Sequence, residues 1–180
     1  MKHIEACPPY IYLKPGEAFF SAEPALVTTV LGSCISILMY CKRLSAGGIC
    51  HALLPRNADG ENELRYVDSS ARRMVKIMEH FGASPAELEV KLFGGASIFV
   101  PRERHKRKIW NVGEQNAKAA LDAVRELGLK LTASDLGGAG GRRIYFHTHT
   151  NRVLVKRLNG SAASGQSALS APAYGGSRCR

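Results

Sequence analysis

The sequence has no paired-cysteine motif. Its five cysteines, Cys7, Cys34, Cys41, Cys50 and Cys179, are odd in number and spread without a CxxC among them. That argues against a disulfide framework and makes free thiols in a reducing compartment the expectation. Zinc is not expected either. Cys41 could join the neighbours Cys50 and His51 only if adjacent strand residues shared a face, and no second ligand pair exists. Long apolar runs are missing as well. No stretch suffices to span a bilayer, and the opening MKHIEACPPYIYLKPG lacks the apolar centre of a signal peptide, so a cytoplasmic protein without direct membrane insertion is expected. Acid is scarce: 15 Asp and Glu face 25 Lys and Arg, for a net charge of +10. The excess is uneven, because residues 136 to 180 carry seven basic residues and no acid. The segment PRERHKRK at 101 to 108 carries five basic residues against Glu103. No aromatic residue interleaves it before Trp110 and no nucleic-acid motif surrounds it, so a solvated charge run is the commoner outcome, with steering of an acidic partner the alternative and nucleic acid ranked last.

What is present is enough for one core, with 45% of residues hydrophobic. The chemistry concentrates in residues 28 to 55, TTVLGSCISILMYCKRLSAGGICHALLP. Two apolar runs, 35 to 40 and 49 to 54, flank the turn-rich KRLSAGG and predict a β-hairpin. Cys34 and His51 are the candidate pair, since a thiol becomes a strong nucleophile as thiolate and an imidazole can take its proton. A turn centred near Leu44 and Ser45 places His51 opposite Leu38, on the same face as Cys34 but about 13 Å along the strand. A bulge or strong twist is then needed to bring the two together. Gly32 and Ser33 precede the thiol, where backbone N–H groups could receive an oxyanion. Thr28 is the candidate for fixing the imidazole tautomer.

Further along, 69 to 81 has helical spacing at Ala71, Met74, Val75, Met78 and Phe81, closed by Gly82. The methionines there are core residues. LEVKLF at 88 to 93 reads as a strand running into GGAS, which is either a turn or a loop offering N–H groups to substrate. Asn111 caps a second helix that ends at Gly128, and a strand follows at 129 to 133. The order helix, glycine, strand, glycine-rich turn thus occurs twice, which hints at duplication. Residues 135 to 158 form a last hairpin in which Ile144 and Phe146 are answered by Val153 and Val155, with Asn151 near the turn. His147 and His149 read as surface histidines. From Asn159 the chain is small and polar, so the expected organisation is one domain over 1 to 158 and a disordered tail over 159 to 180.

Thr28, LGSC at 31 to 34 and GGICHALLP at 47 to 55 together resemble the chemoreceptor glutamine deamidase family, CheD. Arg65-Tyr66 with Asp68, LFGGASIF, NVGEQN and the Asp, Gly-Gly and Gly-Arg elements after 135 are similar to further family segments. The resemblance implies a cysteine–histidine–threonine triad of Cys34, His51 and Thr28, acting on receptor glutamines through a thioester and requiring no metal or organic cofactor. It implies an α+β single domain, a four-layer α/β/β/α sandwich of mixed sheets as in cysteine hydrolases. The implied partners are the cytoplasmic helices of methyl-accepting chemotaxis receptors and the CheC phosphatase, and hydrolysis of receptor glutamyl methyl esters is a further implied activity. In that setting Arg102, Arg104, Lys106, Arg107 and Lys108 would steer acidic receptor helices. The competing reading is a non-catalytic chemotaxis adaptor, with Cys34 a small buried hydrophobe and His51 a satisfied strand residue.

Overall fold

Period-two patterning builds most of this chain, and two amphipathic helices cover one side of what it builds. The computed structural model describes residues 7–58, 60–97 and 111–158. The element order is β1 (Tyr10–Tyr12), β2 (Ala18–Ser21), β3 (Leu26–Leu31), β4 (Ile35–Cys41), β5 (Ala46–Cys50), α1 (Val67–His80), β6 (Leu88–Gly94), α2 (Val112–Glu126), β7 (Lys130–Leu136), β8 (Arg142–His147) and β9 (Arg152–Arg157). The strands form two mixed sheets, one of four in the order β1-β3-β8-β9 and one of five in the order β2-β5-β4-β6-β7. Pairing is antiparallel except for β1 with β3 and β6 with β7.

The two cores follow from side-chain parity. Ile35, Ile37, Met39 and Cys41 of β4 face the helices, where Met74 and Met78 of α1 and Ala120 of α2 are also fully buried. Each of those methionines contributes about 1.5–3 kcal/mol through its buried surface. The opposite face of β4 and β5 gives Leu38 and Ile49 to a second core between the sheets, shared with Val27, Leu31, Ile144 and Phe146. Both helices pack on the five-stranded sheet. The α+β class with two mixed sheets is thus as expected, while the described residues stack in three layers, α/β/β, rather than four. Both apolar helix stripes are used up on one sheet, and among the described residues no helix covers the other.

The last hairpin has the register that the alternation predicts, with Ile144 opposite Val155, Phe146 opposite Val153, and Asn151 in the turn at φ 56°. The twofold order of helix, strand and glycine turn places β6 and β7 side by side in parallel, with α2 as the crossover between them. Cys34, Cys41 and Cys50 are free thiols. Cys7 is exposed ahead of β1, whereas Cys41 and Cys50 are sealed in the core. Among the described residues no helix is long and apolar enough to cross a membrane. The polar tail from 159, and the basic segment with Arg102, Arg104, Lys106, Arg107 and Lys108, lie outside the described residues.

Candidate functional site

The hairpin register brings the thiol and the imidazole to one sheet end. Leu38 pairs with Ile49 and Cys41 with Ala46, and the same register continues past the strand end to Ile35 and Ala52. Those two exchange both backbone hydrogen bonds, at 2.9 and 2.8 Å. His51 therefore opposes Ser36, not Leu38, and Cys34 lies one diagonal step away on the same face. Diagonal neighbours stand roughly 7 Å apart at Cβ, within reach of an imidazole. The expected 13 Å gap arose from misplacing the turn by one residue. Ser45 donates to the carbonyl of Lys42 at 3.2 Å, so the turn centres on Arg43 and Leu44, and moving a turn centre by one residue moves the register by two. No bulge is needed.

His51 is 3% exposed, and its Nδ1 lies 2.8 Å from Thr29 Oγ1. That hydroxyl donates its single proton to the carbonyl of Leu13 at 2.8 Å. A carbonyl can only accept, so Thr29 is left with lone pairs to offer and Nδ1 carries the ring proton. Nε2 then holds the basic lone pair, and it has no hydrogen-bond partner. Burial lowers the imidazole pKa to about 4, opposed by the nearby backbone of Leu13, so His51 is neutral near pH 7.

The threonine on the imidazole is Thr29, which corrects the choice of Thr28. Thr28 points the other way and donates to the carbonyl of Ile144 at 2.8 Å. Parity is the cause. Thr29 shares its face with Val27 and Leu31, both buried between the sheets, and His51 shares its face with Ile49, buried in that same layer. In the sequence the two parities look alike, Leu26, Thr28 and Val30 against Val27, Thr29 and Leu31, so alternation alone does not identify the inward threonine.

Cys34 is half-buried, and desolvation raises its pKa, partly offset by its own backbone N–H. The resting pair is thus neutral thiol and neutral imidazole. The segment before it is held from behind. Ala96 N–H donates to Gly32 O, Gly95 N–H to Cys34 O, and Asn116 Nδ2 to both Ser33 O and Leu53 O, all at 2.8–2.9 Å. With the three carbonyls taken, the N–H groups of Ser33 and Cys34 make no backbone hydrogen bond among the described residues. Of the two readings of the glycine loop after β6, the N–H groups do not support donors for substrate: those of Gly95, Ala96 and Ser97 are all engaged, with Cys34, Gly32 and Gly138, so the loop is a turn that buttresses the thiol segment.

Two close approaches make this support possible. A Cβ on Gly94, whose φ is 119°, would stand 2.0 Å from the carbonyl oxygen of Cys34. One on Gly113 would stand 2.3 Å from Ala96 O. Gly113 lets the start of α2 settle on the glycine loop, and Asn116, one turn later, reaches the strand ends on both sides of the site. Asn116 is fully buried. The spacing of Gly113 and Asn116 in NVGEQN was visible in the sequence, but its purpose was not. The metal alternative meets the same parity that unites the site: Cys41 and Cys50 face the helices, and His51 faces the other sheet.

A threonine hydroxyl on an imidazole, with a thiol one diagonal step along the same face, lies where two stacked mixed sheets meet in an α+β protein. Residues 53–157 match the family described as CheD chemotactic sensory transduction. The chain is 43% identical over 155 residues to "Probable chemoreceptor glutamine deamidase CheD 2" of Geobacter sulfurreducens, covering 86% of this chain and 94% of that one. Proteins named "Probable chemoreceptor glutamine deamidase CheD" from Maridesulfovibrio salexigens and Archaeoglobus fulgidus are 39% and 34% identical, over 82% and 79% of this chain and 91% and 90% of theirs. The chain belongs to the CheD family. Among solved structures, YlmD from Geobacillus stearothermophilus matches with a TM-score of 0.46 at 13% identity over 67% of this chain and 50% of that one, too distant to add to the assignment.

Proposed function

We propose that this protein is a glutamine deamidase acting on chemoreceptors, the activity for which its relatives are named, and that it works through the thiol of Cys34. The observation that carries the reading is the unpartnered Nε2 of His51. Its tautomer is fixed from the far side by Thr29, and it stands one diagonal step from Cys34 on a shared face. A neutral base with a free lone pair beside a neutral thiol is the starting state for general-base attack.

In the first half-reaction the thiol proton passes to His51 Nε2 as sulfur bonds to the side-chain amide carbon. The amide oxygen becomes an oxyanion, received by the N–H groups of Ser33 and Cys34, in a segment that Ala96 N–H anchors through Gly32 O. His51 returns the proton to the amide nitrogen, the C–N bond breaks and ammonia leaves. In the second, His51 takes a proton from water, hydroxide adds to the thioester, and the C–S bond breaks with the proton returned to sulfur. The glutamine has become glutamate. A glutamyl methyl ester would follow the same path with methanol as leaving group, which makes receptor methylesterase activity a companion proposal. Within this reading, a CheC phosphatase is the proposed regulatory partner.

The test is ammonia release and a mass gain of about one dalton per glutamine on receptor cytoplasmic fragments. Wild type should convert, and Cys34→Ala and His51→Ala should stay folded and fail. A folded wild type that is inert while Cys34 resists alkylation would instead favour the adaptor.

A further inference from the structure

A cavity of about 700 Å³ is walled by the 15–16 turn, Leu53, residues 62–65 and Arg73. Its walls are continuous with the site. Gly16 N–H donates to the carbonyl of His51 at 2.7 Å, and Leu53 N–H donates to the carbonyl of Arg65 at 2.8 Å. Because Ile35 pairs with Ala52, Leu53 is the cross-strand neighbour of Cys34. The cavity therefore starts one side chain from the sulfur, and its volume suits a bound ligand segment.

The far wall is cationic. Arg65 is exposed and forms no ion pair among the described residues. Arg73 Nε lies 3.8 Å from Glu63 Oε2, with the two side chains 50% and 49% exposed. Such an exposed, long pair is weak, on the order of 0–1 kcal/mol, and can be exchanged for another carboxylate. Two guanidiniums against one glutamate leave one positive charge for an incoming anion, and an arginine fork suits a carboxylate.

We infer that this cavity is a subsite for a carboxylate side chain of the substrate, held by Arg65 and Arg73, so that the preferred target is a glutamine with an acidic residue three or four positions away on the same helical face. Side chains so spaced on a helix share one face, with Cβ atoms about 5–6 Å apart, so one can reach the thiol while the other extends into the cavity towards the arginines. The inference rests on the deamidase reading.

The experiment uses a receptor cytoplasmic fragment with such a glutamine, turned over by wild type, by Arg65→Glu with Arg73→Glu, and by the milder Arg65→Gln with Arg73→Gln. Charge reversal should raise KM by about tenfold or more at low salt, with the difference shrinking at high salt. The neutral pair should fall between, and kcat should move by less than about twofold. Replacing the substrate's flanking Glu by Arg should restore turnover by the charge-reversed enzyme, while the Cys34 alkylation rate stays that of wild type. An unchanged KM in both double variants, or no rescue by the reversed substrate, overturns the subsite and leaves the deamidase reading standing. Wild type that fails to convert any glutamine overturns that reading, and the subsite with it.

Discussion

Thr29 Oγ1 stands 2.8 Å from His51 Nδ1 and gives its own proton to Leu13 O, so the imidazole is held by an acceptor whose direction is fixed. Adjacent Thr28 serves a different bond, to Ile144 O. Replacing Thr29 by Val should therefore cost about 10–100-fold in kcat/KM, as the tautomer and ring orientation are released. Thr29→Ser should recover most of it. Thr28→Val should lose about 1 kcal/mol of stability and little activity. Equal losses of activity in the two valine variants would contradict the assignment.

This pair also shows where the sequence is readable and where it is not. The last hairpin was legible to the residue because its register depends only on local alternation and the turn at Asn151. The site hairpin was legible in kind but not in register, since a turn centre misplaced by one residue at Leu44 carries His51 two residues along its partner. The choice between Thr28 and Thr29 needs the knowledge that the imidazole comes from the other sheet. That is a tertiary fact. Asn116 was hidden for the same reason, as its two acceptors lie 83 and 63 residues away.

The depressed pKa of His51 couples stability to pH. In the unfolded chain the imidazole titrates near 6.5, and in the folded protein near 4. Between those values the unfolded state binds more protons, so stability rises with pH across this window and is lost as pH falls from 6.5 to 4. The full effect is on the order of 3 kcal/mol. Urea unfolding of wild type and His51→Gln at pH 7 and pH 4.5 should show a smaller pH-dependent loss for the variant. Turnover by wild type should likewise stay on its plateau well below pH 6.

Thiol labelling separates the three described free cysteines. Cys34 is half-buried with its pKa raised, Cys41 is fully buried, and Cys50 is fully buried with its pKa pushed up to about 12. Iodoacetamide should modify Cys34 first, at a rate that climbs with pH through the alkaline range, because the thiolate is the reacting species. Cys41 and Cys50 should label only on unfolding. A Cys34 rate already at its plateau at pH 6, followed by mass spectrometry of tryptic peptides, would mean a resting thiolate and imidazolium, contrary to the burial seen here.

Asn116 joins Ser33 O to Leu53 O through one amide nitrogen, at 2.9 and 2.8 Å, and so ties the thiol segment to the histidine strand. Asn116→Leu removes both donors and leaves two carbonyls without them, at a cost of about 2–4 kcal/mol if neither finds water. Its effect on catalysis should exceed its effect on folding. At a temperature where the variant remains folded by circular dichroism, kcat should drop by about 100-fold, since a displacement of the reacting groups by 1 Å is enough for that.

Ser36 offers the opposite sign. It faces His51 across the hairpin, is fully buried, and its Oγ has no hydrogen-bond partner. A hydroxyl kept dry and unpaired costs about 1–3 kcal/mol relative to a paired one. Ser36→Ala removes that cost and opens only a small void, so the variant should unfold at a higher urea midpoint with an unchanged m-value. Ser36→Val tests the space instead. It adds methyl groups beneath the imidazole and should lower activity through crowding of His51. If Ser36→Ala were destabilised by 1 kcal/mol or more, the hydroxyl would have to be paired in solution, and its position opposite His51 makes Nε2 the first partner to examine by imidazole NMR shifts.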